Sequence, residues 1–391
     1  MKQGWEKKKL KDISYVIMGQ SPSSTSYNDK EIGYPLLNGA ADYKGQIFNP
    51  KKYTNAPTRL AEKNDILLGI RATIGNIAIS DQTYCIGRGV AAIRVNEQKA
   101  HRNYIKNYLV SALDEIIGKS GGAIIKGIKK EDLTDMIIYL PDVNEQKRIV
   151  TKLDECFEAI DKARANVEKN LNNAKELFQS QLNEIFSQKG DGWVEKRWGD
   201  LCQFVRGPFG GSLKKSMFKE SGYVVYEQKH AIHDHFNQLR YFIDEEKFNE
   251  MKRFEVKPGD LIMSCSGVTL GKVAIIPEGI QKGIIKQALL KLTPYDNILA
   301  EFLKYWIRSK IFQDIIFKYS GGAAIPNVPS AKILKGIMVS IPNINIQKDI
   351  IREIELFESQ TQSLKSNYQQ ELNALDELKK SILQKAFNGE L

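Results

Sequence analysis

Nothing in the 391-residue sequence approaches the roughly 20 consecutive apolar residues a membrane helix needs, which excludes a helical transmembrane protein. Cysteine is scarce. The four residues Cys85, Cys156, Cys202 and Cys265 form no CxxC pair, so free thiols in a reducing compartment are expected rather than a disulfide framework or a zinc site. The basic start, MKQGWEKKKLKD, lacks the apolar stretch of a secretory signal, and a cytoplasmic location is expected. Catalytic signatures are missing too. GVTLGKV, residues 267–273, is one residue short of a phosphate-binding loop and has Val273 where Ser or Thr would reach magnesium. Its counterpart ATIGNIA has Asn76 in place of the lysine, so the glycines read as a tight turn between strands. No DPPY or NPPY tetrapeptide and no glycine-rich adenosyl-cofactor fingerprint occur. Three of the four histidines fall in KHAIHDHF: His230, His233 and His235, beside Asp234. Their spacing matches no HExxH pattern, leaving an exposed polar loop, a nucleic-acid-facing loop or metal ligation as readings. The expectation is a chain that catalyses nothing alone and has no metal or cofactor of its own.

What is present is written twice. GWEKKKLKDISYVIMG, from Gly4, returns as GWVEKRWGDLCQFVRG, from Gly192. DILLGIRATIGNIAI, from Asp65, returns as DLIMSCSGVTLGKVAI, from Asp260. SGGAIIKGI at Ser120 echoes SGGAAIPNV at Ser320, and LPDVNEQKRIV at Leu140 echoes IPNINIQKDII at Ile341. Four matches in one order indicate duplication of a unit of about 195 residues, far longer than a solenoid repeat. Within each copy, residues 1–143 and 190–343 alternate short apolar runs such as DILLGI and KVAIIP with Gly, Pro, Asn and Asp clusters. This predicts mixed α/β globules.

Residues 144–189 and 344–391 differ in kind: they contain no proline, and apolar residues recur every three or four positions. A helix of some 45 residues rises roughly 65–70 Å, too long to bury in a small domain. Its narrow stripe is that of a coiled-coil seam. The expected pairing sets Leu153, Phe157, Ile160, Val167, Leu171, Phe178, Leu182 and Ile185 against Ile354, Phe357, Leu364, Tyr368, Leu372, Leu375, Ile382 and Leu383. Connectivity favours antiparallel helices with the globules at opposite ends. The predicted fold class is therefore α+β: two tandem mixed α/β domains, two long helices forming an antiparallel coiled coil, and a pseudo-two-fold internal repeat.

The net charge of +10 can now be placed. Residues 1–143 hold 21 basic against 15 acidic residues and residues 190–343 hold 22 against 16, so each globule is +6. The first helix is neutral and the second is −2. Two equal cationic bodies on a neutral spacer suit contact with a polyanion at two separated places.

The GW-x-x-x-x-L-x-D-type start, the G-[ILV]-x-x-x-x-[IL]-G-type turn, SGGA, and P-x-x-N-x-Q-x-x-I leading into a long helix, all repeated, resemble the specificity subunit of Type I restriction-modification enzymes over essentially the whole chain. The resemblance implies two target-recognition domains, each reading half of a split double-stranded DNA site, with the helices as a ruler between them. It further implies two docked methyltransferase subunits, with restriction/translocase subunits joining them. S-adenosylmethionine, ATP and magnesium would belong to those partners, and adenine would be the methylated base. One departure is Ile346, standing where Glu145 stands in the first copy. The competing readings are a coiled-coil scaffold with two protein-binding heads and a fused enzyme carrying its own methyltransferase. The missing tetrapeptide opposes the latter.

Base readers are sought in loops at strand ends carrying Arg, Lys, Gln, Asn, Ser, Thr or His. The first globule offers Gln20, Ser21, Ser23, Asn38, Arg71, Thr73 and Arg88. The second offers Lys214, Lys215, Gln228, Lys229, His230, Ser266, Thr269, Lys286 and Gln287. Arg71 and Arg88 rank highest, because arginine beside glycine in a loop has room to approach a guanine edge. Lys147, Arg148 and Lys348 flank the helix starts, where they face either a methyltransferase partner or solvent.

Overall fold

The computed structural model describes residues 4–71, 74–119, 127–188, 190, 192–319 and 326–391. The SGGA segments at 120–126 and 320–325, and Thr73, lie outside the described residues. The chain forms two units: residues 1–168 with 370–391, and residues 169–369.

The first unit contains strands β1 (Glu6–Lys9), β2 (Ser14–Met18), β3 (Tyr34–Leu37), β4 (Ile66–Gly69), β5 (Ile77–Ile79), β6 (Tyr84–Ile86) and β7 (Val90–Val95). Helix α1 (Arg102–Ser111), helix α2 (Leu113–Lys119) and strand β8 (Ile137–Leu140) lead into the long helix α3 (Val143–Ser187). An antiparallel sheet in the order β5-β4-β7-β2 pairs Ile93 with Val16 on one side and Ile66 on the other. Behind it, a five-stranded sheet contains the parallel pair β3·β6. The uninterrupted apolar run of β4 follows from its position between two cores. Ile66 and Leu68 join the core of Leu10, Ile93, Tyr104 and Leu109, while Leu67, on the opposite face, joins that of Leu37, Tyr84 and Ile86.

The second unit repeats this plan. Its strands are β9 (Val194–Arg197), β10 (Cys202–Arg206), β11 (Tyr223–Tyr226), β12 (Leu261–Ser264), β13 (Val273–Ile275), β14 (Gly283–Ile285), β15 (Leu289–Pro294) and β16 (Met338–Ile341). Its helices are α4 (Gln228–His233), α5 (Ala300–Arg308), α6 (Lys310–Tyr319) and the first part of the long α7 (Ile344–Asn388), whose residues from Gln370 on belong to the first unit. The antiparallel sheet runs β10-β15-β12-β13, and a second sheet contains the parallel pair β11·β14. Leu261 and Met263 face the core of Trp198, Phe302 and Trp306, while Ile262 faces the other. In both units a two-stranded ribbon, β1·β8 or β9·β16, joins the start of the globule to the strand before its long helix. GVTLGKV is the turn expected between strands, joining β12 to β13 with Gly267 and Gly271 both at φ 78°. The positive φ at Gly271 favours glycine, and a Cβ there would also displace the ends of the Ile316 and Gln313 side chains.

The long helices run antiparallel within each unit. In the first, Arg148 donates to the Leu391 carbonyl at 2.7 Å, Lys379 pairs with Asp161 at 3.4 Å, and Arg164 pairs with Asp376. Residue numbers rise along α3 as they fall along α7. In the second, the rings of Phe178 and Phe357 stack at 6.3 Å, and Leu182 and Phe186 share a core with Ile351 and Ile354. Leu153, Ile160, Val167, Leu182, Ile354, Leu372 and Leu383 are buried, and Phe157, Leu171, Phe178, Ile185, Phe357, Tyr368, Leu375 and Ile382 are half-buried. Leu364 departs from expectation: it is 41% exposed, while Thr361 is 2% exposed. At 100° per residue, Leu364 lies about 80° from the line through Ile354, whereas Thr361 lies within about 20° of it. Position on the helix outweighs side-chain polarity there. Phe186, Ile351 and Phe387, absent from the expected seam, are buried because each also plugs a globule's core.

Candidate nucleic-acid interface

Three loops of the first unit cross at one place, and glycine makes the crossing possible. Gly19, after β2, donates to the Val90 carbonyl at 2.9 Å, and Gln20 to that of Ile86 at 2.9 Å. Gly87 donates to Leu37 at 2.7 Å and Gly89 to Asn38 at 3.1 Å. A Cβ on Gly19 would sit 2.1 Å from the Gly87 carbonyl oxygen, and one on Gly89 would sit 2.6 Å from that of Asn38. Backbones this close leave side chains only outward, so Gln20, Asn38 and Arg88 are exposed around the crossing, with Ser21 half-buried beside them. The Ser21 hydroxyl accepts from the Arg88 amide at 3.4 Å, and the Gln20 carbonyl accepts from the Thr58 hydroxyl. Arg71 is exposed one residue beyond Ile70, whose amide donates to Gly89. Ser23 stands apart, exchanging a hydrogen bond with Thr25 at 2.8 Å in a short helical turn. A guanidinium, two primary amides and a hydroxyl on one rigid backbone platform form a set able to read base edges.

The second unit has a related crossing with a single glycine, Lys286 and Ala288 standing where the first has Gly87 and Gly89. Gly207 donates to Leu289 at 2.8 Å, and its Cβ would meet the Lys286 carbonyl at 2.2 Å. Gln287 is exposed there, as are Lys214 and Lys215 in a neighbouring turn. Several expected readers turn inward instead. The Gln228 amide donates to the Ser264 hydroxyl and the Ser266 carbonyl, both at 2.6 Å, and lies 3.4 Å from the Thr269 hydroxyl, bracing the β12–β13 loop. The Lys286 ammonium pairs with Glu227 at 3.2 Å and lies 4.1 Å from the centre of the Tyr241 ring. Lys229 lies 3.8 Å from the same Glu227. Ser266, Thr269, Gln228 and Lys229 are half-buried.

His230 is 1% exposed, a correction to its expected place at the surface. Its Nδ1 accepts from the Glu227 amide at 2.9 Å and its Nε2 lies 3.3 Å from the Gln238 carbonyl, so both ring nitrogens brace helix α4. Burial pushes its pKa below the usual histidine value. His230, His233 and His235 line a cleft of about 470 Å³ with Lys229 and Gln238. Asp234 faces Lys304 at 2.6 Å and Arg308 at 2.9 Å. Among the described residues no group of three or more His, Cys, Asp or Glu could hold a metal.

Cys85, Cys202 and Cys265 are free and buried, and burial raises the Cys265 thiol to about 12, far from a nucleophile's range. Sequence reasoning passed over Arg206, at the end of β10, whose guanidinium lies 5.4 Å from the centre of the Phe209 ring. Phe209 is 61% exposed beside the Gly207 crossing, and an aromatic shortly after the paired glycine was the available signal. Among the described residues no helix is long and apolar enough to cross a membrane.

Known proteins share this architecture. The type I restriction modification DNA specificity domain matches the chain twice, over residues 2–170 and 190–374. A protein of Methanocaldococcus jannaschii described as a type I restriction enzyme MjaX specificity subunit is 38% identical over 172 residues, 43% of this chain and 40% of its own length. The EcoBI specificity subunit of Escherichia coli is 24% identical over 99% of this chain and 86% of its own length. Among solved structures, a chain from a study of complex assembly in the type I R-M system superposes with a TM-score of 0.78 at 20% identity, covering 100% of this chain and 99% of its own. The HsdS subunit of Thermoanaerobacter tengcongensis gives 0.60 at 20% identity, over 100% and 98%. Both likenesses concern the fold. With two domain matches that together span most of its length, the chain belongs to the family of type I restriction-modification DNA specificity proteins.

Proposed function

We propose that this chain is the non-catalytic DNA-reading subunit of a type I restriction-modification complex, recognising a bipartite double-stranded site. The observation carrying this reading is the repeated backbone crossing: Gly19 lies against the Gly87 carbonyl and Gly207 against that of Lys286, and different side chains are exposed around each copy. A scaffold that reads two unlike half-sites needs that combination of constant backbone and variable letters. Each platform belongs to a globule of charge +6, which supplies the sequence-independent attraction to phosphates. Gln20, Asn38, Arg71 and Arg88 in the first copy, with Lys214, Lys215 and Gln287 in the second, are the proposed DNA-facing residues. Ser21, Gln228, Ser266, Thr269 and Lys286 support those loops.

The two long helices act as the spacer, and methyltransferase subunits dock on the chain with restriction subunits joining through them. S-adenosylmethionine, ATP and magnesium are held by those partners. The test is a gel shift of the full chain, alone and with its methyltransferase subunits, at two salt concentrations, followed by methylome sequencing of the host. A split methylated motif that disappears when this chain is deleted is the expected result. Absence of DNA binding by the assembled complex would instead favour a protein-binding scaffold.

A further inference from the structure

The glutamine of PDVNEQ and PNINIQ occupies the same buried position in both units, and helix capping does not account for it. Asp142 already caps α3, its Oδ1 accepting from the amides of Asn144 at 2.9 Å and Glu145 at 3.0 Å. Asn343 does the same for α7, accepting from Asn345 at 3.0 Å and Ile346 at 3.1 Å. Gln146 and Gln347, 1% and 0% exposed, are thereby free to reach elsewhere.

Gln146 Oε1 accepts from the His101 amide at 2.7 Å, and its Nε2 donates to the Pro141 carbonyl at 2.8 Å. Gln347 Oε1 accepts from the Leu299 amide at 2.9 Å, and its Nε2 donates to the carbonyls of Pro342 at 2.9 Å and Asn297 at 3.1 Å. His101 and Leu299 are the residues immediately before α1 and α5, and neither has a side-chain cap of its own. One side chain thus joins three pieces in each unit: the first turn of the long helix, the proline that ends the ribbon, and the start of the helix packed under the recognition sheet. Both ends of the amide are satisfied away from water, where such bonds are strong and directional.

We infer that Gln146 and Gln347 are positioning residues that set the angle at which each recognition domain stands on its long helix, and so the number of unread base pairs the chain accepts between half-sites. This rests on the DNA-reading function proposed above. One added base pair moves a half-site by about 3.4 Å and turns it by about 35°, so a small loosening of each domain suffices to admit a neighbouring spacing.

The test uses the full chain co-expressed with its methyltransferase subunits. Methylome sequencing with the native chain defines the two half-sites and their gap, and duplexes with that gap, one base pair shorter and one longer are then methylated in vitro. Gln146→Leu and Gln347→Leu are each expected to lower the preference for the native gap by about tenfold while leaving the half-site letters unchanged. Gln146→Glu, which keeps an acceptor for the His101 amide, should fall between, and it carries the test should the leucine variants fail to fold. A uniform loss at all three gaps with the preference intact would mean the glutamines serve stability alone, and overturns the inference. A native complex that methylates no split motif overturns the DNA-reading function itself, and that outcome is seen before any variant is made.

Discussion

Arg88 offers the most direct test of the recognition platform. It sits between Gly87 and Gly89, whose amides are fixed on the carbonyls of Leu37 and Asn38, while its own amide donates to the Ser21 hydroxyl. The backbone is therefore held independently of the side chain, which is exposed. Arg88→Ala should change folding stability by no more than about 0.5 kcal/mol, the usual range for a surface substitution. If the guanidinium reads a base, its removal should cost about 1–3 kcal/mol of binding, or roughly 5- to 150-fold in Kd, and relax one position of one half-site. If it meets a phosphate, the loss should be shared by all sequences and the slope of log K against log salt should shrink by about 0.9. Titrating the complex with its own site, single-base variants and a scrambled duplex at two salt concentrations separates these outcomes. Gly87→Ala is the control: a Cβ there falls 2.9 Å from the Asn38 Cα, so the backbone of the platform must shift and all readers on it should weaken together. An Arg88→Ala protein that melts like the native one and binds every duplex within twofold of it would refute the assignment of this platform to DNA.

Three further outcomes are expected. Removing seven residues at facing positions of both long helices preserves the seam and shortens each by about 10.5 Å. The methylated motif should keep both half-sites and lose about three base pairs of gap. His230 is held neutral by burial, so it contributes stability in full above the unfolded-state pKa of 6.5, and that contribution is lost as pH falls through its depressed folded value. The midpoint of urea unfolding should therefore drop below pH 6.5, and His230→Asn should flatten that dependence. Phe387, packed edge-on against Tyr104 at 5.2 Å and Tyr108 at 5.1 Å, should cost about 3–5 kcal/mol on replacement by alanine, visible as a lower melting temperature.

The duplication, the two mixed globules and the two long helices were legible in the primary sequence because each rests on local pattern: repeated segments, apolar runs closed by turn residues, and a stripe at helical spacing. Local pattern also identified GVTLGKV as a turn, since its glycines can take the left-handed backbone that Gly267 and Gly271 adopt. The side chains at the recognition loops were legible only in part. Gln20, Asn38 and Arg88 stand at the surface because glycines from distant segments meet beneath them. Gln228 and Lys286, equally polar, are drawn inward by Ser264 and Glu227, partners 36 and 59 residues away. Residue type says what a side chain can bond; only the fold determines whether a bonding partner or open solvent stands beside it. The same holds for the two helix-start glutamines: the repeat marks them, but their partners His101 and Leu299 lie 45 and 48 residues earlier, beyond the reach of any spacing rule. Sequence periodicity set the elements and their order, and long-range contacts decided which of their polar groups remain free to meet another molecule.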